Sequence, residues 1–193
     1  MASVEQLFPV CIYIEQELFS VEQNRKWKER AIEVKKQYQA GGKGWEGGTY
    51  TTNNTRYSLH SDTVFTPLVE AVTEHVNKFT DLHCSDFTYK PLGGWLNISN
   101  KGDFQEFHAH NDSIMSAVYY ISTPVNSGNI VFEDPKQPDM LPLRNLSMSN
   151  NINADRITYE PREGMLLVFR SYLRHMVTKN MSDESRVSIA FNF

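Results

Sequence analysis

The chain has 193 residues, a net charge of −4 and 40% hydrophobic residues, with aromatics at 12%. Such a length buries a core, the composition argues against wholesale disorder, and the acidic balance offers no footprint for nucleic acid or an anionic membrane. With no apolar run of the roughly eighteen residues a spanning helix needs, no basic segment opening "MASVEQLFPVCIYIEQ" and two cysteines, Cys11 and Cys84, expected as reduced buried thiols, a cytoplasmic protein is expected.

The chain reads as one domain, 1–193, in which a helical and loop lead-in over about 1–89 packs on a β core over 90–193. "LFPVCIYIEQ" has the β-branched and aromatic content of a strand, and Pro9 marks it as an edge. "SVEQNRKWKERAIEVKKQYQAGG" predicts a helix: Ser20 and Gln23 form a capping box, Trp27, Ala31, Val34 and Tyr38 make one stripe, and Gly41-Gly42 ends it. The glycine-rich stretch "GGKGWEGGTYTTNNTRYSLHSD" reads as a mobile loop. It is either an ordinary surface loop or a lid that brings Trp45 to a substrate. A second helix is expected from Thr66 as N-cap with Pro67 at the first helical position, and Val69, Val72, Val76 and Phe79 share a face.

After Tyr89 the pattern changes to short β-rich runs separated by turn signals: "GGWLNISN", "FQEFHAH", "SIMSAVYYIS", "GNIVFED", "ITYEP", "GMLLVF", "HMVTK" and "RVSIAFNF". That pattern belongs to an antiparallel sandwich or barrel. The expected fold is mainly β with N-terminal helices on one outer face, around a double-stranded β-helix, the jelly roll of cupin-like proteins.

In "FHAH" the two histidines are i and i+2, so on a strand His108 and His110 project to one side. Two imidazoles on one face can converge on one ion, and His175, opening another β segment, is the attractive third ligand. A strand histidine is more often a plain polar residue, so spacing alone leaves metal binding open. The last strand adds to the case. Val187, Ile189, Phe191 and Phe193 alternate with Arg186, Ser188, Ala190 and Asn192. An arginine on the inner face of a sandwich needs an anion, because a buried unpaired charge is costly, and a bidentate carboxylate suits it best. The competing reading is an exposed edge arginine paired with Asp183 or Glu184.

The order "KGDFQEFHAH", "MSAVYYIS", "SGNIVFED", "YEPREGMLLVF", "RHMVTK" and "RVSIAFNF" resembles the Fe(II)- and 2-oxoglutarate-dependent oxygenases, in particular their prolyl-hydroxylase-like branch. Gly102 stands six residues before His108, Tyr119-Tyr120-Ile121-Ser122 is similar to that family's strand end, and Pro161 to Gly164 to its P-x-x-G turn. The likeness runs from about Trp95 to Phe193, and "LFPVCIYIEQ" with "GGWLNISN" resembles a bacterial and phage subgroup.

The resemblance implies Fe(II), 2-oxoglutarate as cosubstrate and O2, with hydroxylation of a peptide or small metabolite and release of succinate and CO2. It implies His108 and His175 as metal ligands, Arg186 as the partner of the distal 2-oxoglutarate carboxylate, Ser188 and Tyr120 as further hydrogen bonds to it, and Asn97 as a cosubstrate contact. The family pattern has an acid where His110 stands. Either His110 is the third ligand, leaving the ion one unit more positive, or His110-Asn111-Asp112 supplies the histidine and acid in a shifted register, with Asp112 as ligand; the glycine spacing favours His108, His110 and His175. Two other classes fit the residues alone: a non-catalytic metal-binding β-sandwich module, and a cupin-type three-histidine metalloenzyme that works without 2-oxoglutarate. Arg186 and Ser188 discriminate, since a structural ion needs no carboxylate anchor beside it.

Overall fold

The first helix starts where the sequence offers a cap. In the computed structural model, which describes residues 2–39, 44–136 and 146–193, the Ser20 side chain accepts a hydrogen bond from the Gln23 N–H at 3.3 Å, and α1 then runs over Val21–Gln37. Trp27, Ala31 and Val34 are buried along one stripe, and Tyr38 takes the C-cap position. The stop expected at Gly41-Gly42 lies outside the described residues. The second helix, α2, covers Thr66–Asp81, with Leu68, Val72, Val76 and Phe79 buried. Its N-cap is Phe65 rather than Thr66. A 3₁₀ turn over Thr63–Phe65, capped by the Asp62 carboxylate accepting from the Val64 N–H at 3.1 Å, runs straight into the helix, so capping is provided one turn earlier.

The β segments form β1 (Ile12–Glu15), β2 (Tyr50–Thr51), β3 (Gly93–Ser99), β4 (Gln105–His108), β5 (Met115–Ser122), β6 (Ile130–Glu133), β7 (Arg156–Tyr159), β8 (Leu166–Arg170), β9 (His175–Val177) and β10 (Arg186–Asn192). Among the described residues they make a six-stranded sheet in the order β1-β8-β5-β10-β3-β2 and a four-stranded sheet in the order β4-β9-β6-β7. Every strand pairing is antiparallel. This is the double-stranded β-helix the sequence predicts, and β1 sits at an edge as expected.

Period-two alternation divides the large sheet into two faces. Val187, Ile189 and Phe191 of β10 join Leu96, Ile98, Leu166 and Val168 in one core with Trp27, Val34, Leu68, Val72 and Phe79, so the helices cover the outer face. Between the sheets lies a smaller core that includes Ile130, Phe132, Leu167, Phe169 and Leu173. Arg186 and Ser188 of β10 point the same way as this second core and line a cleft. Of the two cysteines, both free, Cys84 is exposed and only Cys11 is partly buried, which corrects the expectation of two buried thiols. Cys84 lies in the turn that follows α2, its N–H donating to the Asp81 carbonyl, and adopts a left-handed φ of 52°, a conformation met in turns rather than in a packed core. No described helix is long and apolar enough to cross a membrane.

Candidate metal and cosubstrate site

Three imidazoles meet at one end of the cleft between the sheets. β4 ends on His108, which is directly opposite His175 of β9 across the ladder. His110 lies beyond the strand end, so it does not share a strand face with His108 as the spacing predicts. Instead its backbone N–H donates to the Ser171 carbonyl at 3.0 Å, which turns the chain back toward the cleft. Ring centroids are 4.3 Å apart for His108 and His175, 5.3 Å for His108 and His110, and 5.2 Å for His110 and His175. One ligand nitrogen from each ring lies within 4.8 Å of the other two. Asp112 is exposed in the next turn and is not part of this group.

The hydrogen bonds of the rings select their tautomers. His108 Nδ1 faces the Glu106 carbonyl at 2.8 Å, and His175 Nδ1 the Leu173 carbonyl at 2.9 Å. His110 Nδ1 faces Asn192 Oδ1 at 2.6 Å. A carbonyl oxygen only accepts, so each Nδ1 carries the proton and each Nε2 keeps its lone pair. Burial pushes all three histidines down, His110 to about 4 and His175 to about 3, with neighbouring His108 adding to both shifts. They are neutral imidazoles at pH 7, the form that ligates a metal.

Deeper in the same cleft stands Arg186, 2% exposed, on the central strand β10. Its guanidinium donates to Ser99 Oγ at 2.9 Å and to the Ser127 carbonyl at 2.8 Å. Among the described residues no carboxylate pairs with it. The alternative of an exposed edge arginine bound to Asp183 or Glu184 is therefore ruled out. Burial lowers its pKa, against the opposing influence of Tyr120 and Asp103. Gly128 makes the berth: at φ +92° it passes so close that a Cβ there would lie 2.3 Å from the Thr178 carbonyl and 3.0 Å from Arg186 Nη1.

Ser188, Tyr120 and Asn97 all line the cleft, each of them buried. Burial raises the Tyr120 phenol well above its ordinary value, so it is protonated and available as a donor beside Arg186. Asn97 Oδ1 is buried without a hydrogen-bond partner among the described residues.

The residues that sequence reasoning missed are Trp95, Gln105, Asn192 and Ser116. Trp95 and Gln105 line the cleft, and the Trp95 ring sits 5.5 Å from that of His110. Asn192 carried a readable signal, because it shares the alternating face of Arg186 and Ser188. Trp45 does reach the site, with its ring 4.5 Å from that of His108. The segment that carries it is tied down rather than loose over residues 44–52. The Gly47 N–H donates to Glu106 Oε1 at 2.8 Å, the Phe104 N–H to the Gly47 carbonyl at 3.0 Å, and β2 pairs with β3.

A family model described as "Putative 2OG-Fe(II) oxygenase" matches residues 93–192, from the first residue of β3 to the last of β10. The chain belongs to this family of 2OG-Fe(II) oxygenases. The cofactors of the oxygenase are accordingly Fe(II) and 2-oxoglutarate. Solved structures share its fold at low identity. A prolyl-4-hydroxylase of Pseudomonas putida is 12% identical with a TM-score of 0.67, covering 95% of this chain and 92% of its own. HygX of Streptomyces hygroscopicus, solved with nickel and 2-oxoglutarate, is 13% identical with a TM-score of 0.65 over 94% of this chain and 82% of its own. The viral collagen prolyl hydroxylase of Paramecium Bursaria Chlorella virus-1, a 2OG complex, is 11% identical with a TM-score of 0.58 over 94% of each chain. No curated protein matches the chain significantly.

The donor chemistry of the oxygenase fits both groups. Three neutral imidazoles presenting Nε2 suit a borderline divalent ion such as Fe(II), and a buried guanidinium without a carboxylate suits a dicarboxylate.

Proposed function

We propose that the oxygenase hydroxylates a C–H group of a peptide or small metabolite, with His108, His110 and His175 holding Fe(II) through Nε2 and Arg186 anchoring the distal carboxylate of 2-oxoglutarate. The observation that carries this reading is the buried, carboxylate-free Arg186 in the same cleft as the three-imidazole group. Iron with 2-oxoglutarate supplies, when bound, the oxidative decarboxylation that yields succinate and CO2 and the oxidising power for the substrate. The protein supplies position and a restricted environment.

Each histidine enters the site with its Nδ1 proton already committed to an acceptor, so metal uptake requires no change of tautomer. Arg186 keeps N–H groups beyond those given to Ser99, Ser127 and Gly128, and directs them at the incoming carboxylate. Ser188 and the protonated Tyr120 add hydroxyl donors to that end of the cosubstrate. Asn97, rotated about its terminal torsion, presents its amide N–H₂ to an acceptor in the cleft. Trp45 and Trp95, over His108 and His110, restrict water at the metal end and form the surface a substrate meets. The family assignment sets aside both the non-catalytic module and the cupin-type enzyme that works without 2-oxoglutarate.

The test is succinate release. Purified protein incubated with Fe(II) and 2-oxoglutarate under air is expected to form succinate, and His175→Ala and Arg186→Met are expected to abolish it. Succinate formation by Arg186→Met at the wild-type rate would overturn the assignment of that residue.

A further inference from the structure

The three imidazoles are not held alike. His108 and His175 each lean on a backbone carbonyl two residues upstream, an anchor that no substitution removes. His110, which stands where the family pattern has an acid, leans on side chains from other strands. Asn192 Oδ1, at the end of β10, lies 2.6 Å from its Nδ1, and Ser116 Oγ of β5 lies 2.9 Å from the same nitrogen. Ser116 is itself bonded to Ser171 Oγ at 2.8 Å, which in turn accepts from Ser113 at 2.9 Å. The ring is thus gripped by an amide and a buried chain of hydroxyls, none of which carries charge.

We propose that Asn192, supported by Ser116, is a positioning residue that aims His110 at the metal while keeping this corner of the site neutral, and so sets the balance between metal and 2-oxoglutarate affinity. The proposal rests on His110 being the third ligand. An amide oxygen holds the imidazole in the Nε2-ligating tautomer as a carboxylate would, without adding negative charge. With three neutral ligands and a neutral anchor behind the third, the ion attracts a dianionic cosubstrate at full strength. An aspartate at this position would fit the same space and aim the ring equally well, but it would place a fixed negative charge one imidazole away from the ion.

The experiment pairs two variants with two affinities. Fe(II) binding is measured by anaerobic calorimetry on wild type, Asn192→Ala and Asn192→Asp, and 2-oxoglutarate binding on the metal-loaded forms. Asn192→Ala is expected to weaken Fe(II) binding by about 10- to 100-fold. Asn192→Asp is expected to hold Fe(II) at least as well as wild type, yet to bind 2-oxoglutarate at least about fivefold more weakly. A side chain that merely supported the fold would move both affinities together and would not separate them in the isosteric variant. Fe(II) affinity unchanged in Asn192→Ala, or 2-oxoglutarate affinity unchanged in Asn192→Asp, with wild type binding both, overturns the proposal alone. If His110→Ala takes up Fe(II) as wild type does, the reading beneath it falls and the proposal with it.

Discussion

Replacing Arg186 with methionine tests the cosubstrate pocket most severely, because its two consequences have opposite signs. The guanidinium has five N–H donors, and three hydrogen bonds, to Ser99 Oγ, the Ser127 carbonyl and, at 3.5 Å, the Gly128 carbonyl, account for part of them. Two charge-assisted bonds to a carboxylate are worth roughly 1.5–3 kcal/mol each. Arg186→Met should therefore cost about 3–6 kcal/mol of 2-oxoglutarate binding, roughly a 10²- to 10⁴-fold rise in Kd. The ligand-free fold responds differently. A buried cation without a counterion carries a desolvation penalty of several kcal/mol, and the bond lost at the Ser127 carbonyl costs only about 1–3 kcal/mol. Ligand-free Arg186→Met should accordingly unfold at or above the wild-type temperature. Calorimetric titration of 2-oxoglutarate into protein loaded with Mn(II), with thermal unfolding of the ligand-free forms, measures both. Binding within about threefold of wild type would refute the anchor, and a strongly destabilised ligand-free variant would refute the argument that the cation lacks a partner.

Other perturbations separate the remaining assignments. Asp112→Ala should leave Fe(II) affinity unchanged, since the side chain is exposed and outside the imidazole group, whereas His110→Ala should lower it by at least about tenfold; calorimetry decides. Gly128→Ala should lower both thermal stability and 2-oxoglutarate affinity, because its Cβ would press on the Thr178 carbonyl and on Arg186 Nη1 at a φ of +92°. The pH dependence of the metal-free fold draws on all three histidines, and most on His175, which is neutral when folded, with its pKa held at about 3 against 6.5 when free. Between those values the unfolded chain binds the extra proton, so stability is level above about pH 6.5 and falls as pH drops below it. His175→Gln should remove up to about 1.4 kcal/mol per pH unit of that slope, as read by chemical denaturation from about pH 6 to about pH 4.

The last strand of the β core was legible because it has one face to bury in the apolar core and one that carries polar groups. That alternation placed Arg186, Ser188 and Asn192 on one side of β10, and Val187, Ile189 and Phe191 on the other. His108 and His175 were legible for the same reason, as strand residues whose direction the pleat dictates. His110 converges by a different route, since the strand stops at His108 and a long-range hydrogen bond to Ser171 steers the chain beyond it. Local spacing holds no record of that bond, and so left His110 and Asp112 as alternatives. The segment around Trp45 reads as loose because it is rich in glycine. Those glycines in fact allow close approach: a Cβ at Gly47 would meet the Phe104 carbonyl at 2.3 Å. The start of α2 was displaced by one residue because Asp62 caps a preceding 3₁₀ turn, a tertiary choice also tied to Arg30 at 2.8 Å.

The most direct measurement of the whole account is an anaerobic crystal structure of the protein with Fe(II) and 2-oxoglutarate. It is expected to show one ion on the Nε2 atoms of His108, His110 and His175, and the far carboxylate of the diacid on Arg186. An ion ligated by Asp112, or a diacid that leaves Arg186 without a carboxylate, would contradict it.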